Sequence, residues 1–291
     1  MGKQEIRPSP ALLPRHVVLI PDGNGRWAGR KGRPIAEGHL QGARAVEAFL
    51  RVCRDWNVPY ATVWAFSTEN WGRNPREVSA IMKLVDLYLR KNRSKFREEN
   101  MRFRHIGRRD RIAARFPRLA RLLAEMEEET RAYERYTLNL ALDYGGRDEV
   151  LRALERLGRE EKDLGSLTWE RLSEALDTAG QPDPDLVIRT SGEHRLSGIL
   201  PLQTVYAELL FLPRLLPELD EEDFREAFRE FASRDRRFGL RNDAHTPSEE
   251  PESPGPSAIA PSGRTASPPA STPRAREGDR QVGPASSRKG A

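Results

Sequence analysis

Asp22, Asn24 and Arg26 stand at alternate positions, separated by Gly23 and Gly25. The glycines let the backbone fold tightly and expose its N–H groups, and the spacing brings a carboxylate beside a guanidinium. Such a turn suits a phosphate-bearing ligand with a divalent metal. The amides and Arg26 neutralise phosphate oxygens, and Asp22 supplies a hard oxygen ligand. Taken alone, a glycine-punctuated turn is equally a structural loop. Its context is more informative: Val17 to Ile20 and then Pro21 read as a short buried strand that stops at Asp22.

Three later strand signals also end in polar clusters: Ser67-Thr68-Glu69-Asn70-Trp71-Gly72-Arg73, Asp143-Tyr144-Gly145-Gly146-Arg147 and Arg189-Thr190-Ser191-Gly192-Glu193-His194-Arg195. In an open parallel sheet, ligands bind outside the carboxyl ends of the strands, so these segments are expected to converge on one cleft. Pooled, they offer Arg26, Arg73, Arg189 and Arg195, enough guanidinium to hold two diphosphates. Glu208 interrupts the apolar run Val205 to Phe211. A carboxylate inside a buried strand is costly unless paired or metal-bound, which makes it a candidate second metal ligand. His39, between Gly38 and Gly42, could cap, pack or serve the site; His16 and His105 read as structural. No two histidines stand at a metal-ligand spacing, which speaks against zinc.

The elements that must position these groups alternate in type. Strands are expected at His16–Ile20, Tyr60–Phe66, Met101–Ile106, Thr137–Leu142, Leu186–Arg189 and Val205–Phe211. Helices are expected at Gly42–Trp56, Pro75–Glu99, Arg118–Tyr133, Arg147–Gly158, Thr168–Asp177 and Glu221–Phe231. The pattern predicts an α/β fold: a single domain with a mostly parallel central sheet flanked by helices and right-handed crossovers. The helix from Pro75 carries Val78, Ile81, Met82, Leu84, Val85, Tyr88 and Leu89, either a core-facing stripe or the wall of an apolar tunnel. A tunnel behind a phosphate-binding mouth fits a lipid-like phosphate ester. Residues 1–14 read as a flexible N-terminus and 15–240 as the folded domain. Residues 241–291 hold nine of the chain's 22 prolines and no aromatic residue, and read as a disordered tail.

Composition sets the outer bounds. The chain has 291 residues, a net charge of +5 and 32% charged residues. This mild basicity favours anionic partners without choosing among them. The single cysteine, Cys53, lies among apolar neighbours, so no disulfide framework exists and a cytoplasmic setting is expected. No apolar run is long enough for a signal peptide or membrane span. An aromatic-rich basic stripe is also lacking, so no nucleic-acid partner is expected.

With these residues assembled, the chain resembles the cis-prenyltransferase family, to which the bacterial undecaprenyl diphosphate synthases belong. The similarity runs from about residue 15 to 240. It is carried by His16–Ala28, by Ala65–Arg73 with Pro75-Arg76-Glu77-Val78, and by Asp185–Ser197 with Tyr206-Ala207-Glu208-Leu209 and Arg236-Arg237-Phe238-Gly239. The resemblance implies an enzyme that condenses isopentenyl diphosphate with an allylic diphosphate, farnesyl or geranyl, to give a cis-polyprenyl diphosphate. It implies Mg²⁺ as cofactor, handled by Asp22 with Glu208, and Asp22 and Asn70 as catalytic residues. Gly23, Asn24, Gly25, Arg26, Trp27, His39 and Arg73 would surround the allylic diphosphate; Arg189, Arg195 and Ser197 would hold isopentenyl diphosphate. Ser67, Glu69, Asn70 and Trp71 would shape the reacting region, and Asn70 with His39 would assist proton removal.

The resemblance also implies a homodimer, and a long prenyl product would bring peripheral membrane contact. The chain departs from the family pattern at Pro21, where Met is usual before the aspartate, and at Ile35, where an arginine is common. It departs again at Gly198, Pro201 and Leu202, after Ser197. A non-catalytic subunit or lipid-diphosphate binder is the competing reading. Retention of Asp22, Arg189, Arg195 and Ser197 speaks against it.

Overall fold

The computed structural model describes residues 7–160 and 164–236. The expected tail, the first residues of the N-terminal arm and the end of the final motif, Arg237 to Gly239, lie outside the described residues. Six strands form one sheet: β1 His16–Ile20, β2 Tyr60–Ser67, β3 Met101–Ile106, β4 Tyr136–Tyr144, β5 Leu186–Arg189 and β6 Glu208–Phe211. Their order is β3-β4-β2-β1-β5-β6 and every pairing is parallel. The chain winds from β1 toward β2 on one side and reaches β5 on the other. The crevice between the carboxyl ends of β1 and β5 is therefore the switch point where open α/β sheets take ligands.

Both faces of β1 are buried, as a central parallel strand requires. Val17 and Leu19 join the larger core with helices α2 (Ile35–Asp55), α3 (Pro75–Glu98), α5 (Pro117–Glu129) and α8 (Glu221–Ala232). Val18 and Ile20 meet a smaller cluster with Trp64, Tyr144, Ile199 and Leu200. The remaining helices are α1 Asn24–Arg30, α4 Arg109–Arg115, α6 Gly146–Glu160 and α7 Trp169–Glu174. Near the amino end a 3₁₀ turn, Pro10–Leu12, leads into Leu13, which is buried in the larger core.

Two boundaries move in ways that shape the site. Helix α2 starts at Ile35, seven residues before the Gly42 expected from the sequence. Gly38 and Gly42 act there as points of close approach: a Cβ on either would stand 2.2 Å from an oxygen of Asn24. Strand β6 starts at Glu208, and Val205 and Tyr206 lie in the preceding turn, 64% and 72% exposed. Glu208 thus opens an edge strand and is half-buried, not enclosed as the apolar run implied.

Candidate active site

At the end of β1, Asp22 leads into Gly23, whose φ of +107° caps α1. A side chain at Gly23 would stand 2.2 Å from Ser191 Oγ, so space and conformation both demand glycine. The turn read from Asp22 to Arg26 is the entry to a helix, and the first-turn amides of Asn24, Gly25 and Arg26 precede any intrahelical acceptor. Trp27 sits half-buried on the same helix.

The first and last polar clusters meet. Arg189, 4% exposed at the end of β5, donates from Nη2 to Asp22 Oδ2 at 3.1 Å. Its Nη1 donates to Arg195 O at 2.6 Å and to Ser197 Oγ at 2.8 Å. Arg26 closes the other side, with Nη2 3.3 Å from Asp22 Oδ1 and Nη1 3.0 Å from Glu193 Oε1. Asp22 thus lies between two guanidinium groups, its side chain 34% exposed. Arg195 itself turns outward to Glu193.

The second cluster joins through His39. Asn24 Nδ2 donates to His39 Nδ1 at 3.3 Å, and His39 Nε2 to Glu77 Oε1 at 3.4 Å. Arg73 donates to the same Glu77 oxygen at 3.0 Å. Burial pulls the His39 imidazole below its ordinary range, against the raising effect of Glu77, so the ring is neutral near pH 7. Ser67 N donates to Asn70 Oδ1 at 3.0 Å, which caps the 3₁₀ turn Thr68–Gly72 and fixes the exposed Glu69 and half-buried Trp71 beyond it.

The third cluster does not present Asp143 to a ligand. Its carboxylate is wholly buried, bound by Arg111 and by Trp71 Nε1 at 2.8 Å. Its role is to anchor Trp71. Nor does one chain bring Glu208 to Asp22. The register sets Glu208 opposite Leu186, and Leu186 opposite Val17, at the amino half of the sheet. Asp22 lies beyond the other end of β1, more than about 10 Å along the strand direction. Glu208 pairs instead with Arg234 at 2.9 Å.

Several residues outside the expected set organise the site. Thr190, fully buried, accepts from Asp22 N at 2.8 Å and donates to Asp22 O at 2.7 Å. Gly146 N donates to Gly198 O at 2.9 Å, and Gln203 Nε2 to buried Glu149 Oε2 at 3.1 Å. Both bonds tie the Ser197 loop to α6. A buried threonine directly after a strand arginine was the visible signal for the first; the others depend on contacts remote in sequence.

Asn24 and His39 also line the mouth of an apolar cavity of about 120 Å³ between α2, α3 and the sheet. Its walls include Val46, Val63, Ile81, Val85 and Leu140, so the Pro75 helix serves both readings in part: Val78 and Met82 are core, while Ile81, Leu84, Val85, Tyr88 and Leu89 line the cavity. Leu50, Tyr88 and Leu138 also line a second cavity of about 80 Å³.

The family model described as "Putative undecaprenyl diphosphate synthase" matches residues 20–239. The isoprenyl transferase of Rhizobium meliloti is 44% identical over 236 residues, 79% of this chain and 94% of the relative. That of Aquifex aeolicus is 41% identical over 78% of this chain and 96% of its own. Among solved structures, lavandulyl diphosphate synthase from Lavandula x intermedia, in complex with dimethylallyl diphosphate, aligns with a TM-score of 0.73 at 27% identity. It covers 79% of this chain and 99% of its own. A probable undecaprenyl diphosphate synthase from Campylobacter jejuni aligns with a TM-score of 0.64 at 32% identity, covering 78% and 98%. The match spans nearly every described element: this chain belongs to the undecaprenyl diphosphate synthase family of isoprenyl transferases, the cis-prenyltransferases.

Proposed function

We propose that this prenyltransferase elongates a farnesyl or geranyl diphosphate with isopentenyl diphosphate to give a cis-polyprenyl diphosphate. One observation carries the reading: the Asp22, Arg26 and Arg189 constellation shares Asn24 and His39 with the mouth of an apolar cavity. A diphosphate head and a growing hydrocarbon chain would each find a chemically matched place.

The residues fit a Mg²⁺ ion. Asp22 is a partly exposed carboxylate at the switch point, and no group of three or more acidic, histidine or cysteine side chains is available as a cage among the described residues. Mg²⁺ usually takes one or two carboxylates and completes its shell with phosphates and water. The buried, unpartnered Asn24 Oδ1, Ser191 Oγ and Arg189 Nε mark polar capacity left for a ligand. When bound, the ion would offset the charge gathering on the diphosphate. Glu208 would reach a metal only across a subunit boundary.

Arg26, Arg73 and the amides at Gly23, Asn24 and Gly25 hold the allylic diphosphate in this reading; Arg189, Arg195 and Ser197 hold isopentenyl diphosphate. The isopentenyl double bond attacks the allylic carbon, the C–O bond to diphosphate breaks, and a proton leaves to form the new cis double bond. Arginines already oriented before reaction stabilise the departing diphosphate without reorganising. Neutral His39 would receive the proton at Nδ1 once Asn24 Nδ2 gives up that nitrogen, with Asn70 assisting. Ser67, Glu69, Trp71 and Trp27 shape the approach. The working form is a homodimer, in which the exposed Val205 and Tyr206 beside edge strand β6 would be covered.

The test is incubation with radiolabelled isopentenyl diphosphate, each allylic starter and Mg²⁺, with an EDTA control, followed by chromatography of extracted products. Metal-dependent polyprenyl products are expected. Binding of both diphosphates by the folded protein with no product would instead make it a non-catalytic lipid-diphosphate binder.

A further inference from the structure

We propose that the outer face of helices α2 and α3 docks on an anionic phospholipid bilayer. The two helices wall the apolar cavity through Ala43, Val46 and Leu50 on α2 and Leu84, Val85 and Tyr88 on α3. All six are only half-buried, so the cavity reaches the surface along the seam between the helices. One turn outward stand Leu40 and Leu87, 51% and 63% exposed. Leu40 precedes Ala43 by three residues and Leu87 follows Leu84 by three, so each neighbours a cavity wall on its own helix.

Leu87 is framed by cations. Lys83 and Lys91 lie one turn to either side of it, exposed and without an ion pair among the described residues. Arg76 and Arg90 continue the same stripe, Arg90 held at 2.8 Å by Asp86; Glu98, in the last turn, is a second acid on it, and on α2 Glu37, one turn before Leu40, is paired with Arg33. Arg44 adds a further exposed cation on α2, against the half-buried Glu47.

Cations around exposed leucines match a lipid surface. Lysines reach anionic headgroups while leucines enter the acyl boundary. Nucleic acid would gain nothing from Leu40 and Leu87, and the seam behind them offers it only aliphatic walls. The benefit of docking rests on the proposed activity: a chain leaving the cavity along the seam would pass into lipid and not into water.

The test uses the full chain and vesicles, without substrate. Co-sedimentation is measured with phosphatidylcholine alone and with equal parts phosphatidylcholine and phosphatidylglycerol. Tight binding is expected only to the mixed vesicles, weakening as salt is raised. Lys83→Ala/Lys91→Ala should weaken it by about fivefold per cation, about thirtyfold together. Leu87→Ser should weaken it while leaving the salt dependence unchanged. Arg131→Ala/Arg159→Ala removes equal charge from other surfaces and should bind as the parent does. Circular dichroism checks the fold of each variant, all at exposed positions. Indifference to phosphatidylglycerol at low salt, or equal weakening in both double variants, overturns the docking face. Turnover of diphosphates in detergent is scored separately, and Lys83→Ala/Lys91→Ala should leave it unchanged. Vesicle binding without turnover would overturn the proposed activity and leave the docking face standing; turnover without binding would do the reverse.

Discussion

Removing one buried hydroxyl, in Thr190→Val, should slow the enzyme far more than it destabilises the fold. Valine keeps the shape and β-branched stiffness of threonine, but it cannot make the two bonds to Asp22 N and O, now 2.8 and 2.7 Å long. Neither backbone group would be orphaned. Asp22 N also lies 3.1 Å from Ile20 O, and Asp22 O accepts from Leu216 N at 3.1 Å. The loss is therefore that of two ordinary hydrogen bonds, about 2 kcal/mol in all. In a folded part of this size that lowers the melting temperature by about 4–8 °C.

The kinetic cost follows from position. Thr190 is next to Arg189, so its hydroxyl sets the distance between the Asp22 backbone and the guanidinium that meets the Asp22 carboxylate at 3.1 Å. A shift of about 1 Å in such a group can cost about 10²-fold. Thr190→Val should lower kcat by about ten- to a hundredfold, and Thr190→Ser should restore most of it. Initial rates of labelled isopentenyl diphosphate incorporation, beside calorimetric melting, decide the matter. A valine variant with kcat/KM within about threefold of the parent would refute the clamp.

Asp22→Ala should abolish turnover, by about 10³-fold or more, while Arg26 and Arg189 still bind inorganic diphosphate in calorimetry. Normal turnover by the folded variant would remove Asp22 from the mechanism. Ala43→Phe, which projects a ring into the cavity, should shorten the products resolved by chromatography; unchanged length would mean that the chain grows elsewhere. Burial lowers the His16 pKa from 6.5 to about 4. The unfolded chain therefore binds a proton that the folded one refuses as pH falls from 6.5 toward 4, and stability present above pH 6.5 is lost across that window. The loss should reach about 2 kcal/mol by pH 5. Denaturant titrations at several pH values should show this slope in the parent and a smaller one in His16→Gln; equal slopes would acquit His16.

The sheet was legible because β1 and β5 are short apolar runs with polar ends and β3 sets Met101, Phe103 and His105 against Arg102 and Arg104 in alternation, and the structure keeps the expected limits of all three. Helix α1 was not legible. Gly25 and Gly29 are poor helix formers, and the segment is helical because Gly23 caps it and α2 packs across it at Gly38 and Gly42. Gly38 is where the backbone of α1 approaches α2, at Asn24 O, and Gly42 leaves room for the Asn24 side chain.

Glu208 shows the same limit from the other side. Apolar neighbours in sequence suggested enclosure, but burial belongs to the strand's place in the sheet. An edge strand beginning at Glu208 leaves that carboxylate half-exposed and within reach of Arg234. The fold also fixes the imidazole that the proposed reaction would use. Asn24 and Glu77 hold His39 at its two nitrogens, at 3.3 and 3.4 Å, and burial keeps it neutral. Those restraints come from α1 and α3, the helices that respectively flank the crevice at Asp22 and wall the cavity. A ligand that moved either helix would therefore also move the imidazole, so in the proposed reaction head-group binding and proton acceptance would be coupled through His39.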